Sequence, residues 1–154
     1  MKILQAILYW ILQLTWGLLM TFIGAIVVLF CIIFLKGKVH KNGYTIIVEV
    51  GNNWGGLELG AFALCGGYTT SCVDEYWFQH TRRHEFGHSI QNIIWGPLYP
   101  LVIGIPSAIR YWYRILTPNK EHPDYEAIWF ESQATRLGTK AIDKYENNKL
   151  KQID

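Results

Sequence analysis

The sequence predicts a membrane-anchored α+β protein, with an N-terminal transmembrane helix, a short antiparallel β-hairpin and then several helices. Three observations lead to this prediction. Residues 3–35 are almost entirely apolar, and of the 14 basic and 12 acidic side chains only Lys2 lies before residue 36. Two strand-like runs follow between glycine-rich turns, at 44–50 and 57–65. Residues 72–147 then carry helix signals that are interrupted by proline and glycine.

Composition excludes several classes of protein. The chain has 154 residues, of which 51% are hydrophobic and 17% charged, so a disordered, collagen-like or disulfide-rich protein is excluded. This length allows one compact domain beside an anchor. A net charge of +2 gives no basis for nucleic-acid binding. The 7 Trp, 9 Tyr and 7 Phe suit a protein at a lipid–water boundary, so we expect a lipid bilayer as a partner.

The apolar run is long enough for one membrane crossing. A helix needs about 20 residues to cross the hydrocarbon core, and we place the span from Trp16 or Gly17 to Leu35. The alternative, a cleaved signal peptide, has a much shorter apolar core and a small-residue cleavage site. Residues 1–35 are therefore the predicted anchor. Because Lys36, Lys38 and Lys41 follow the apolar run, the positive-inside rule places the domain of residues 36–154 in the cytoplasm.

The three cysteines predict neither a cysteine-only zinc site nor a required disulfide. Cys31 lies in the apolar run, whereas Cys65 and Cys72 are seven residues apart in a glycine-rich stretch. No C-x-x-C pair is present, which disfavours a cysteine-only zinc site. Cys65 and Cys72 could pair, but nothing in the pattern requires it, and we expect all three cysteines to be reduced.

After the anchor we expect a linker, a hairpin and a long helix. Residues 36–42 form a basic linker that ends in an Asn-Gly turn signal. The strands Tyr44–Val50 and Leu57–Cys65 are predicted to pair antiparallel. A helix then begins near residues 72–74, capped by Thr70 or Ser71, and ends at Trp95 before Gly96-Pro97.

A second apolar stretch follows this helix. Residues 98–113 contain two prolines and a glycine, so we predict a kinked helix over 98–116 that lies on the membrane, dips into it or packs against the first crossing. A buried core helix is the alternative. Residues 117–124 form a polar loop, and a last helix runs from near Asp124 to about Asn147.

The most informative motif is H-E-x-x-H at residues 84–88. On a helix, His84 and His88 project from one face, and both imidazoles can bind the same metal ion. Glu85 can face the open coordination position and act as the general base, and zinc accepts this kind of ligand set. Gly87 costs stability inside a helix, which indicates that another element packs closely there.

A catalytic zinc site usually has three protein ligands, and we expect the third to be Glu131. Glu131 follows Trp129 and Phe130, and a buried carboxylate needs a partner such as a metal. Glu126, His122, Asp124 and His80 are rival ligands. The other interpretation of Glu131 is a surface carboxylate paired with Arg136 or Lys140.

The segments H-E-F-G-H and E-S-Q-A-T-R-L-G, some forty residues apart, resemble the gluzincin pattern of membrane-embedded zinc metallopeptidases. The resemblance is to the group that contains the bacterial heat-shock membrane protease and the CAAX prenyl protease, and it covers residues 76–138. In that group the second segment reads E-x-E-A-D-R-x-G, and its first glutamate, a zinc ligand, matches Glu131. Gln133 and Thr135 replace the group's second glutamate and its aspartate, which orients a ligand histidine.

This resemblance implies a minimal gluzincin-like metallopeptidase in residues 36–154. It would be an integral protein of the bacterial inner membrane, hydrolysing peptide bonds in a peptide or protein substrate. The residue that stabilises the oxyanion, or one that hydrogen-bonds a metal ligand, is expected among His80, His122, Tyr125 and Arg136. Strand 57–64 could pair with an extended substrate, or it could be an ordinary core strand.

The main alternative is a non-catalytic integral membrane protein with a structural or vestigial His/Glu metal site. Structural zinc sites usually contain cysteines and need no base, so the intact Glu85 favours catalysis. Site-two-type proteases place the motif inside a membrane crossing. Here Gln79, Arg82, Arg83 and Gln91 surround it, so we expect the active helix outside the lipid core. The sequence does not predict the oligomeric state.

Overall fold

A computed structural model of the chain describes residues 2–52, 54–67 and 72–150, and it is an α+β structure with five α-helices and one four-stranded sheet. In chain order the elements are α1 (Lys2–Thr15), α2 (Leu18–Leu35), β1 (Lys38–Asn42), β2 (Thr45–Asn52), β3 (Gly56–Leu59), β4 (Phe62–Gly67), α3 (Cys72–Trp95), a 3₁₀ turn (Gly96–Leu98), a π-helical turn (Pro100–Gly104), α4 (Ile105–Leu116), a second 3₁₀ turn (Tyr125–Ala127) and α5 (Trp129–Leu150).

The predicted basic linker contains a strand, so that prediction was wrong. Strand β1 pairs antiparallel with β2, and Lys38 lies opposite Glu49. The Glu49 carboxylate accepts a hydrogen bond from His40 at 2.9 Å and lies 3.8 Å from the Lys38 ammonium. Charged cross-strand pairs of this kind stabilise a polar strand at a sheet edge. The predicted Asn-Gly turn is confirmed, because Gly43 takes φ +62° between the two strands.

The predicted antiparallel hairpin was also wrong, in two respects. The run 57–65 is broken by Gly60, which takes φ +75°, so it folds as the two strands β3 and β4. Strand β4 then pairs parallel with β2, giving the strand order β1-β2-β4-β3. Strand β4 is the more buried of the two, and burial favours it in the middle of the sheet.

Helices cover both faces of the sheet. On one face, Val28 and Cys31 of α2 pack with Val48 and Leu64. On the other face, the alternate residues Ile47, Ala63 and Cys65 pack with Phe78 of α3. Helix α2 approaches the sheet closely, since a side chain at Gly24 would collide with the Leu59 carbonyl. The apolar N-terminal segment is therefore a layer of the fold.

A buried polar cluster fixes the junction between α1 and α2. The side-chain amide of Gln13 donates to the hydroxyl of Tyr9 and to the carbonyls of Gly60 and Ser89, at 3.0–3.2 Å. Its oxygen accepts hydrogen bonds from Thr21 and Asn92. Every polar atom of this amide is thus satisfied in the interior, as burial requires. The cluster ties α1 and α2 to the β3–β4 turn and to α3.

The long helix α3 confirms the predicted helix that ends at Trp95, while its capping residues 70 and 71 lie outside the described residues. The chain then bends by 117° between the helical segments Phe78–Leu98 and Pro100–Leu116. Asp124 caps the short turn Tyr125–Ala127, and α5 begins later, at Trp129. Cys31 and Cys65 are buried free thiols, and the side chain of Cys72 is not among those described.

Exposed apolar side chains concentrate in two segments. In the described part of the chain, most of the large ones lie in α1 and α2 or in residues 94–116. Helix α4 has no buried residue, and its exposed Ile105, Ile109, Trp112 and Leu116 follow one another at helical spacing. Among the described residues, α2 is the one single helix that is long and apolar enough to cross a membrane by length and composition, and 22% of that window is buried in the fold.

Candidate metal centre

Close packing of α3 against α5 builds the centre. A side chain at Gly87 would collide with the backbone carbonyl of Ala134, and one at Gly138 would collide with the carbonyl of Arg83. Two glycines therefore let the helix backbones touch at the level of the H-E-x-x-H motif. The close approach inferred from Gly87 is present, and it brings the start of α5 beside His84 and His88.

His84, His88 and Glu131 form a buried group that could hold a metal ion. The Nε2 atoms of His84 and His88 each lie 3.1 Å from Oε2 of Glu131, and 3.1 Å from each other. Ligands about 2.0–2.1 Å from a tetrahedral zinc ion are about 3.3 Å apart. Two imidazole nitrogens and one carboxylate oxygen therefore lie at separations compatible with three ligands of one metal ion.

Both ligand imidazoles are held through their second nitrogen. Nδ1 of His84 lies 2.8 Å from the hydroxyl of Thr135, and Nδ1 of His88 lies 2.8 Å from the side-chain oxygen of Gln91. Such partners fix the orientation of a ligand histidine and leave Nε2 for the metal. Thr135 of α5 therefore contacts His84 across the interface between the two helices. Gln133 takes part as well, since its side-chain oxygen accepts a hydrogen bond from Gln91.

Glu131 is fully buried and is fixed by α4. The Ser107 hydroxyl donates to Oε1 of Glu131 at 2.6 Å, which leaves Oε2 directed to the two histidines. Burial alone would raise the pKa of Glu131, but the hydrogen bonds from His84 and His88 hold it well below its usual range. Burial opposes the charged form of His88, yet the hydrogen bond to Glu131 prevails and raises the pKa of His88 to about 9.

Glu85 lies beside this group, against the edge strand of the sheet. Its side chain is buried, and desolvation raises its pKa although both nearby histidines act in the opposite direction. A side chain at Gly56 of β3 would collide with the Glu85 carboxylate. The glycine therefore gives the carboxylate its place between α3 and the edge strand.

Among the other candidates, Tyr125 and His80 both contact the ring of His84. The centroids of the Tyr125 and His84 rings are 6.5 Å apart, and the Tyr125 hydroxyl lies 3.2 Å from the Ser107 hydroxyl. Burial raises the pKa of Tyr125 to about 12, so the hydroxyl keeps its proton at neutral pH. His80 stacks on His84 and forms an ion pair of 2.8 Å with Glu126, so these two rival ligands bind each other beside the centre.

The remaining candidates lie elsewhere. His122 hydrogen-bonds the Thr117 carbonyl and packs against Tyr113 in the loop after α4. Asp124 accepts a hydrogen bond from the Glu126 amide, and Arg136 is exposed on α5. Arg82 forms an ion pair with Glu146 of α5, and Arg83 forms one with Asp143 of the same helix. Gln91 is fully buried beside His88.

Sequence reasoning missed Ser107, the supporting role of Gln91, and Glu58. Ser107 is the single serine in an apolar stretch, and this isolation is the signal that could have drawn attention to it. Gln91 lies one turn after His88, so helical spacing alone places it beside that ligand. Glu58 is an acidic residue within a strand, a position where carboxylates are uncommon.

The chain matches no family model, no curated protein and no solved structure.

Proposed function

We propose that this protein is a membrane-associated zinc peptidase that hydrolyses peptide bonds with Glu85 as the general base. The observation that carries the proposal is the convergence of His84, His88 and Glu131 from two helices, with the Glu85 carboxylate beside them. A structural site does not need a second, non-ligating carboxylate at this place. The alternative of a non-catalytic metal site therefore leaves Glu85 without a role.

Each residue then has a defined task. Bound zinc would supply Lewis-acid polarisation of the scissile carbonyl and would make a water molecule more acidic. Glu85 accepts a proton from the attacking water and passes it to the leaving amine. His84, His88 and Glu131 hold the metal, and Thr135, Gln91 and Ser107 keep these three ligands in place.

Tyr125 is our choice among the candidates for the oxyanion donor. Its protonated hydroxyl lies near Ser107 and its ring contacts His84, so it can donate a hydrogen bond towards a substrate oxygen at the centre. Arg110 and Arg114 lie 5.7 Å from the centre of its ring and support the position of this side chain.

Strand β3 offers a place for an extended substrate. It lies at the edge of the sheet with β4 on one side, and Gly56 is in contact with the Glu85 carboxylate. A peptide that adds to this edge would gain main-chain hydrogen bonds and would pass the general base.

The membrane would contact α1, α2 and α4. Their exposed side chains are apolar, and α4 directs Arg110 and Arg114 to the backbone of residues 123–124 instead of to solvent. Through Ser107, the same helix holds the metal ligand Glu131. We therefore propose that α4 lies in the membrane interface with the centre directly behind it, and that residues 36–154 face the cytoplasm of a bacterial cell.

The decisive experiment compares the wild type with Glu85→Gln by elemental analysis and peptide cleavage. Wild type is expected to carry one zinc per chain and to cleave peptides. Glu85→Gln is expected to keep the zinc and to lose at least about a hundredfold in kcat, because the general base is absent. A wild type without stoichiometric metal would rule out the peptidase proposal.

Gly56→Ala is expected to reduce cleavage while zinc binding is retained. The added methyl group displaces the Glu85 carboxylate and leaves the three ligands in place. We expect kcat to fall about tenfold or more, because a small misplacement of a catalytic group is costly. The matched control is Gly55→Ala, where a methyl group meets nothing within 4 Å. Equal activity of the two variants would contradict this account of Gly56.

Membrane association can be tested by alkaline carbonate extraction of membranes from cells that produce the protein. We expect the chain to stay in the membrane pellet, because α1, α2 and α4 expose apolar surface that water does not solvate favourably. Release of the chain into the soluble fraction would contradict the proposal.

A further inference from the structure

Glu58 is a buried carboxylate on the edge strand β3, and neither the metal centre nor the general base accounts for it. Side chains alternate along a strand, so Glu58 lies on the same face as Gly56. Glu58 pairs with Ala63 and Gly56 pairs with Cys65 across the two strands. Because Ala63 and Cys65 face α3, Glu58 and Gly56 face α3 as well. Glu58 therefore points to the side on which Gly56 touches Glu85.

No hydrogen bond of good geometry reaches either carboxylate oxygen of Glu58, although only 5% of the residue is exposed. None of the ion pairs in the described part of the chain involves it. Leaving a buried carboxylate without a partner is costly, and proteins normally avoid it. Glu49, on the same face of the sheet, shows the usual solution, because it is paired with His40 and Lys38.

The surroundings of Glu58 favour a positive ligand. The Glu85 carboxylate acts on Glu58 from α3, and its negative charge also favours a cation at this place. Burial raises the pKa of Glu58 to about 8, and the nearby Tyr99 hydroxyl and Gly60 backbone amide offset this only in part. A cation beside Glu58 would satisfy the free oxygens and favour the ionised carboxylate.

We infer that Glu58 binds an ammonium group of the substrate next to the scissile bond. The inference rests on the proposed function in that a peptide must lie along β3. Because an extended peptide also alternates its side chains, one group of a peptide added to this edge projects to the face that carries Glu58. A buried carboxylate that forms no ion pair within the described residues recognises a positive group there and discriminates against a neutral one.

The ammonium group has two chemical sources, a lysine side chain or the free amino terminus of the peptide. Three peptides with one common sequence and a C-terminal fluorophore distinguish them. One has an acetylated amino terminus and a central lysine, one has a free amino terminus and norleucine in place of lysine, and one is acetylated with norleucine.

Fluorescence anisotropy measures how tightly each peptide binds to the Glu85→Gln variant and to the double variant E58Q/E85Q. Both variants lack the general base, so the result does not depend on hydrolysis. We expect one of the two cationic peptides to bind Glu85→Gln about tenfold or more tightly than the neutral peptide. This preference is expected to disappear with Glu58→Gln, while binding of the neutral peptide is unchanged. The control E49Q/E85Q removes a carboxylate that already has partners, and it should keep the preference.

A preference for the lysine peptide identifies a basic side chain as the recognised group, and a preference for the free amine identifies the amino terminus. Equal binding of all three peptides, no binding at all, or a preference that survives Glu58→Gln would each overturn the inference. Failure of the proposed function is measured separately. In that case the wild-type protein would contain no zinc and would not cleave the neutral peptide.

Discussion

Replacing Glu131 by glutamine is expected to lower the affinity for zinc about a hundredfold or more. Loss of a group that only orients a ligand already costs about 10- to 100-fold, and here the ligand itself is lost. The carboxamide cannot supply the negative charge that lies 3.1 Å from both histidines. Metal content after dialysis, measured by elemental analysis, checks this prediction, and circular dichroism shows whether the variant remains folded.

The matched control is Glu126→Gln. Glu126 is the nearest rival carboxylate, but it forms an ion pair with His80 instead of lying among the ligands. We expect this variant to keep its zinc. If Glu126→Gln lost the metal and Glu131→Gln retained it, the choice of ligand would be wrong.

The second large effect is expected from Gly87→Ala. The new methyl group would meet the carbonyl of Ala134, and a backbone atom cannot move aside as a flexible side chain can. We expect the free energy of unfolding to fall by about 3 kcal/mol, at the upper end of the usual cost of overpacking. Because α5 carries Glu131, separation of the helices should also weaken zinc binding, and denaturant unfolding with and without added zinc measures both effects.

Gly104→Ala provides the control for this variant. Gly104 is also helical, but a methyl group there meets only ordinary contacts with Tyr99, at 3.7 Å or more. Its unfolding free energy and metal content should match those of the wild type. A Gly87→Ala variant as stable as Gly104→Ala would show that α3 and α5 do not depend on backbone contact.

Local patterns in the sequence were sufficient for α2, for α3 and for the two histidines of the candidate metal centre. The spacing of His84 and His88 places both on one face of a helix, and Gly96-Pro97 ends that helix, because both features depend only on residues a few positions apart. The apolar run likewise predicted α2 nearly to its bounds. Glu131 required more than periodicity, and it was proposed from its aromatic neighbours and from a resemblance of motifs.

The sheet depended on contacts that no local pattern contains. The parallel pairing of β2 with β4 and the pairing of the polar β1 are set by which strand is more buried and by which charges meet across strands. The supporting residues of the centre were also hidden, since Ser107 and Thr135 meet Glu131 and His84 only after α4 and α5 have docked.

By itself, the sequence determined that this chain has an apolar N-terminal helix and a helix with two histidines and a glutamate, since helical periodicity is a local property. Only the tertiary structure decided that α2 covers the sheet, that Glu131 reaches the two histidines, and that Glu58 is buried without an ion pair among the described residues. These three features depend on distances between residues far apart in the chain, which the packing of helices and strands fixes.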